Sequence, residues 1–191
     1  VTGLTISKAQ HDFTKKRLFE AGLSERAKVL LTDYRNQKGQ FDGIASIEMF
    51  EAVGEKYWPI YFNSLKNLMK NGAKSTLQII TIADEIFPEY RKRVDFIQKY
   101  IFPGGMLPSK KALEKQFLQV GLKSINLKSF GSSYSKTLRL WHSSFNSVWD
   151  DIASVKFDDR FKRMWNFYLA SCAAVFYSKT GDVIQVTLKK S

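Results

Sequence analysis

Apolar positions recur along the chain with two alternating periods, and that alternation predicts the elements. Residues 1–6 (VTGLTI) read as a strand, and residues 8–21 place Phe13, Arg17, Leu18 and Ala21 at helical spacing before Gly22. AKVLLTDY (27–34) and FDGIASI (41–47) predict a second and a third strand. EKYWPIYFNSLKNLMKNG (55–72) predicts an amphipathic helix with Tyr61, Leu65, Leu68 and Met69 on one side, ended by Gly72. KSTLQIITI (74–82) is apolar almost throughout, as a strand covered on both faces requires. The rhythm then changes to an aromatic-rich insertion over about 84–108, where Pro103, Gly104, Gly105 and Pro108 force a loop. A helix over 109–121 with Ser109 as N-cap and a strand over 122–130 follow. Residues 136–178 are mainly helical in pattern, and GDVIQVTLKK (181–190) predicts a closing edge strand.

Alternating strands and helices with no internal repeat imply one α/β domain over residues 1–191, a three-layer sandwich around a largely parallel sheet. In such sheets ligands bind beyond the C-terminal ends of the strands. Glu48 and Glu51 stand at that rim, just after the third strand and among Met49, Phe50, Ala52 and Val53. Carboxylates in apolar surroundings are costly unless paired, and a three-residue spacing on a helical turn puts both on a similar side.

Charge adds a surface to this picture. The chain carries a net +12, with basic clusters at 14–17, 90–93, 108–111 and near the C-terminus. Such a balance suits an anionic membrane surface or nucleic acid. The clusters match no nucleic-acid-binding motif, so the membrane surface is the expected partner, with a merely solvated basic face as the alternative. One cysteine, Cys172, excludes an internal disulfide and fits a reducing compartment. Within the apolar stretch 166–177 it reads as a small core residue. Two histidines and no cysteine cluster give no expectation of a metal site. No apolar run is long enough for a spanning helix and the opening residues have no secretory pattern, so a cytoplasmic protein peripheral to the inner membrane surface is expected.

Four stretches carry more specific information: GLTISKAQ (3–10), FDGIASIEMFEAVGEKYW (41–58), VDFIQKYIFPGGMLPS (94–109) and YSKTLRLW (134–141). They resemble, in order and over essentially the whole chain, the cyclopropane-fatty-acyl-phospholipid synthases and mycolic acid cyclopropane synthases. These are class I S-adenosylmethionine (SAM) methyltransferases with a Rossmann-like fold. The resemblance implies methylene transfer from SAM to the cis double bond of an unsaturated phospholipid acyl chain. The alkene attacks the sulfonium methyl, and the resulting cation loses a proton to a base, which in the family is a bound bicarbonate.

By the same resemblance Glu51 and Tyr134 are catalytic and hold the bicarbonate together with Gln78 and the backbone of Ile80. Gln78 stands where many members have histidine; it can hydrogen-bond an anion but cannot titrate. Glu48, at a position often glycine in the family, is read as a rim or cofactor contact. Thr5, Ile6, Ser7 and Gln10 correspond to the segment at the ribose and methionine end of SAM, Asp33, Tyr34 and Arg35 to the segment beside adenine, and Ile47 is a further cofactor contact. Cys172 corresponds to a cysteine sometimes labelled catalytic, and Tyr100, Ile101, Phe102, Gly104 and Gly105 are expected to line the acyl chain.

The family's glycine-rich SAM loop, on the first and central strand, has no counterpart in residues 1–191. The expected fold is therefore incomplete at its N-terminus, with two sheet edges left unpaired and SAM held weakly by this chain alone. Two alternatives stay open: an inactive relative that binds lipid or a partner, and a SAM methyltransferase for another lipid. A homo-oligomer is compatible with the sequence.

Overall fold

The computed structural model describes residues 1–153 and 157–190. β1 (Thr2–Thr5), α1 (Lys8–Glu20) and β2 (Lys28–Leu31) form a unit in which the two strands pair in parallel. β3 (Phe41–Ile47), α2 (Trp58–Leu68) and β4 (Met69–Ile82) repeat that arrangement, with β3 and β4 parallel. The 84–108 segment holds two short helices, α3 (Phe87–Tyr90) and α4 (Phe96–Tyr100). It is followed by α5 (Lys110–Gln119), β5 (Leu122–Ser129), α6 (Gly131–Ser147), α7 (Trp149–Ile152), α8 (Asp159–Tyr177) and β6 (Gly181–Lys190). Two sheets result, β1-β2 and β3-β4-β6-β5.

The three layers follow from where the apolar residues point. Phe62 and Leu65 of α2 and Leu113 and Phe117 of α5 pack with Leu77, Leu122 and Leu188 of the sheet in one core. Leu138 of α6 and Leu169 and Phe176 of α8 pack with Val183 in a second. Each such side chain, fully buried, contributes about 1.5–3 kcal/mol.

Several expectations are corrected. The closing strand β6 is not an edge: it lies antiparallel between β4 and β5, with alternate residues fully buried. Within the larger sheet only the β3–β4 pairing is parallel. The helix expected to run to Gly72 ends at Leu68, and Met69 is already extended. Gly72 sits instead inside β4 at φ 79°, where a side chain is strained. α6 starts at residue 131, five positions early, because Gly131 fits where nothing larger can: a Cβ there would lie 2.7 Å from Asp182 Oδ1. Its N–H donates to that oxygen at 2.9 Å, and Lys110 Nζ donates to Asp182 Oδ2 at 2.7 Å, tying α5 and α6 to β6. Ser109 caps α5 as expected, accepting from the Ala112 N–H.

The helix expected over 8–21 is present as α1, but nothing among the described residues covers it. No residue of α1 is buried, and Phe13 and Phe19 are 62% and 77% exposed. β1 pairs only with β2 and β3 only with β4 among the described residues, so β1 and β3 each have an unpaired edge. No helix of the described residues is long and apolar enough to cross a membrane.

Candidate active site

The C-terminal ends of β1, β2 and β3 carry the polar residues singled out in the sequence. After β1, Thr5 Oγ1 donates to Gln10 Oε1 at 2.9 Å and accepts from the Ser7 N–H, while Ser7 Oγ caps α1 by accepting from the Gln10 N–H. Ile6 between them is 80% exposed. After β2, Asp33 accepts from the backbone and guanidinium of Arg35, which hold its carboxyl below the usual range. Tyr34 is half-buried, its ring edge-on to Tyr61 at 5.5 Å, and so anchors the β1–β2 unit to the main core. Ile47 ends β3 with 59% of its surface exposed. These groups line one rim, with hydroxyl, carboxamide, carboxylate and aromatic chemistry of the kind that holds a nucleoside and its polar tail. The residues present are compatible with SAM.

The second group lies where β3 meets β4. Glu48 is the first residue after β3, and its backbone N–H still donates to Gln78 O of β4. Its φ is 48°, a left-handed conformation that costs a residue with a side chain about 1–2 kcal/mol. That turn aims its carboxylate into the domain. Tyr134 Oη, in the first turn of α6, donates to it, lying 2.8 and 2.9 Å from the two oxygens, and Gln78 Nε2 donates at 2.8 Å. Gln78 is oriented in turn by Gln185 of β6, whose Nε2 donates to Gln78 Oε1 at 2.9 Å. Burial first, then the Glu48 carboxylate it bonds, raise the Tyr134 phenol above its ordinary value. Tyr134 stays a donor.

Glu51 sits one turn on. Its Oε1 accepts from the Ile80 backbone N–H at 2.5 Å, and its Oε2 is buried with no hydrogen-bond partner. Burial pushes its pKa up to about 7 against the lowering effect of that N–H, with the Glu48 charge adding a smaller upward push. The loop from the insertion closes over it: the Met106 N–H donates to Glu51 O at 2.8 Å. Gln98 pins that loop by donating to Gly105 O at 2.8 Å, while sharing a reciprocal cap with Asp95 at the start of α4. Gly104 has φ 80°, and a Cβ on Gly105 would stand 3.1 Å from Phe102 O.

The acyl-chain candidates spread around this loop. Phe102 is 56% exposed and meets Tyr168 edge-on at 6.0 Å; Tyr100 is also exposed, and Ile101 is half-buried. Tyr168, unread in the sequence, is drawn into the site from α8: burial and the nearby Cys172 and Glu48 push its phenol up to about 12. Its apolar surroundings hid it, because an aromatic in a helical stripe reads as core. Cys172 packs in the second core, and burial pushes its thiol up to about 11. It remains a thiol at neutral pH, which argues against the catalytic role carried over to it.

The bicarbonate expected from the resemblance does not fit these residues. Its four expected holders are brought together, but three of them are already engaged by a carboxylate of the chain, Tyr134 and Gln78 by Glu48 and Ile80 by Glu51, which is itself the fourth. A further anion would meet the two carboxyl groups, with only the second Gln78 N–H and, when protonated, the Glu51 carboxyl uncommitted as donors. Glu48, expected at the rim, is the hub. No cluster of three metal-ligating side chains occurs among the described residues.

Comparison with known proteins accounts for this layout. The chain is 39% identical over 189 residues to a tuberculostearic acid methyltransferase of Mycobacterium tuberculosis, covering 98% of this chain and 44% of that protein. It is 35% identical over 192 residues to the cyclopropane-fatty-acyl-phospholipid synthase of Escherichia coli strain K12, covering all of this chain and 47% of that one. The chain thus spans about half the length of the curated relatives it matches. Among solved structures, a cyclopropane synthase from Mycobacterium tuberculosis superposes on all of this chain and 70% of its own with a TM-score of 0.90 at 26% identity. A mycolic acid cyclopropane synthase complexed with SAH and CTAB gives 0.88 at 27%, again covering the whole chain and 70% of its own. The fold is that of the class I SAM methyltransferases. The sequence profile of mycolic acid cyclopropane synthetase matches residues 1–186, and the chain belongs to that family.

Proposed function

We propose that residues 1–191 form the acceptor-side part of a SAM-dependent transferase that adds a one-carbon unit to the cis double bond of an unsaturated phospholipid acyl chain. The observation that carries this reading is the juxtaposition of a partly buried acidic pair, Glu48 and Glu51, with the aromatic surface of Phe102 and Tyr168, the Tyr168 phenol lying close enough to Glu48 to feel its charge. An alkene that attacks an electrophilic carbon becomes a cation, and fixed negative charge and π faces in a water-poor site stabilise it as it forms.

When bound, SAM supplies the electrophilic methyl. Thr5, Ser7, Gln10, Asp33, Tyr34 and Ile47, at the strand ends described above, are the residues that would hold it. The insertion loop keeps water from the anionic cluster, with Gln98 and Met106 fastening it to the Glu51 backbone. The open edges of β1 and β3 and the uncovered face of α1 support a further strand and its neighbours completing the sheet between them, together with the backbone cradle for the methionine end of SAM. Residues 1–191 alone then bind SAM more weakly than a chain extended upstream.

Two of the relatives are by name a tuberculostearic acid methyltransferase and a cyclopropane-fatty-acyl-phospholipid synthase, and a cyclopropane ring and a methyl branch diverge from one cation. Transfer of label from methyl-labelled SAM into vesicles of unsaturated phospholipid, with none into saturated phospholipid, tests the reading. Label that ignores the double bond contradicts it. The basic surface is read as the means of recruitment to the inner membrane face.

A further inference from the structure

We propose that the Glu48 carboxylate is the proton acceptor of this reaction, built into the chain at the place where related enzymes are expected to recruit a bicarbonate ion. The inference rests on the transfer reading above and names the group that completes it.

Three observations converge on Glu48. Its carboxylate accepts from Tyr134 Oη at 2.8 Å and from Gln78 Nε2 at 2.8 Å, the two side chains otherwise expected to clasp a free anion. A carboxylate and a bicarbonate present the same planar, two-oxygen face to such donors, so the side chain reproduces the ion. Its backbone adopts φ 48°, one of two non-glycine residues in the left-handed region among the described residues. A glycine takes that conformation freely; a glutamate takes it at a strain cost, and here its carboxylate is fastened at its far end. Finally, Gln78 cannot accept a proton and Tyr134 is already a donor, so the basic groups at this point are the two glutamates. Of the two, Glu48 is the one held by both clasp side chains, whereas Glu51 accepts from the Ile80 N–H through Oε1 and keeps its unpartnered Oε2 buried.

The proton step balances without any further reagent. SAM would supply the methyl carbon to the alkene π pair and would leave with the electron pair of the broken carbon–sulfur bond on its sulfur. A C–H bond of the transferred carbon then breaks. Its electron pair closes the ring and its proton goes to a Glu48 carboxylate oxygen. The neutral acid returns the proton to water when the lipid leaves. Tyr134 and Gln78 hold the acceptor oriented throughout.

The test uses the full-length protein in carbon dioxide-free buffer, with ¹³C-bicarbonate binding followed by NMR and methyl transfer to unsaturated phospholipid vesicles followed in parallel. Wild type is expected to bind no bicarbonate at the site and to turn over equally with and without it. Glu48→Gln keeps the hydrogen-bonding shape and removes the base, and should lower turnover about 10²–10⁴-fold with no rescue. Glu48→Gly relaxes the left-handed turn, keeps or raises the melting temperature, empties the clasp, and should bind bicarbonate and regain turnover when it is added. Wild-type dependence on bicarbonate, near-normal turnover in Glu48→Gln, or a Glu48→Gly variant indifferent to bicarbonate overturns the proposal. If wild type modifies no lipid at all, the transfer reading fails and the proton-acceptor role with it. The NMR contrast between wild type and Glu48→Gly then separately reports whether Glu48 fills the anion site.

Discussion

Replacing Glu51 by glutamine should make the protein more stable, and increasingly so as the pH rises. Burial lifts the folded-state pKa of Glu51 from 4.5 to about 7. The native state therefore binds the proton more tightly than the unfolded chain. The stability this contributes is complete below about pH 4.5 and is lost as the pH climbs through about 7. At about 1.36 kcal/mol per unit, a shift from 4.5 to about 7 amounts to about 3 kcal/mol between those limits. Glutamine keeps an Oε1 to accept from the Ile80 N–H but cannot ionise, so the variant lacks this pH dependence. Urea unfolding of both proteins at about pH 5 and about pH 8 isolates the effect, since every other titrating group cancels in the difference. The variant should match wild type near the lower pH and exceed it by up to about 3 kcal/mol at the higher. A variant that is relatively weaker at the higher pH would mean that the ionised carboxylate is stabilised in the fold, and the burial argument would be wrong.

Further perturbations probe the surroundings of this group. Tyr134→Phe removes a donor from the Glu48 carboxylate and should slow lipid turnover ten- to a hundred-fold, about 1.5–3 kcal/mol, with SAM affinity unchanged by calorimetry. Gln98→Ala strands the Gly105 carbonyl and should destabilise by about 1–3 kcal/mol, with limited proteolysis now cutting within 100–109. Cys172→Ala should leave turnover per folded molecule unaltered, and the wild-type thiol should react sluggishly with alkylating reagents at neutral pH because burial keeps it protonated. Binding to anionic vesicles should exceed binding to neutral ones and fade with salt, since exposed charges are screened over about 10 Å at 0.1 M. Arg91 is tied to Glu55 and Lys110 to Asp182, so Arg93→Ala with Lys111→Ala should weaken vesicle binding more than Arg91→Ala with Lys110→Ala.

What the sequence revealed, and what it hid, divides along a physical line. β3 is found where FDGIASI predicts it, and α5 starts after Ser109, because period and capping are local properties. The place of β6 between β4 and β5 was not legible: its apolar alternation fits an edge or a central strand equally, and only pairing decides. α2 stopped short because Met69 serves the sheet better than the helix, being fully buried in β4. Glu51 could be singled out as a carboxylate in apolar surroundings, and it is. Glu48 was misread for a reason of distance. Its partner Tyr134 lies 86 residues away, and its left-handed backbone, which aims the side chain inward, leaves no trace in a hydrophobic pattern.

The most direct test of the account is the fate of a deuterated methyl group. The full-length protein is given SAM bearing a fully deuterated methyl and vesicles of a monounsaturated phospholipid, and the released acyl chains are resolved by mass spectrometry. The account predicts label on acyl chains that had a double bond, heavier by one carbon unit, with one deuterium lost from the transferred carbon where a ring has closed. SAM consumed with the acyl chains unlabelled, or label found on the headgroup, would contradict it.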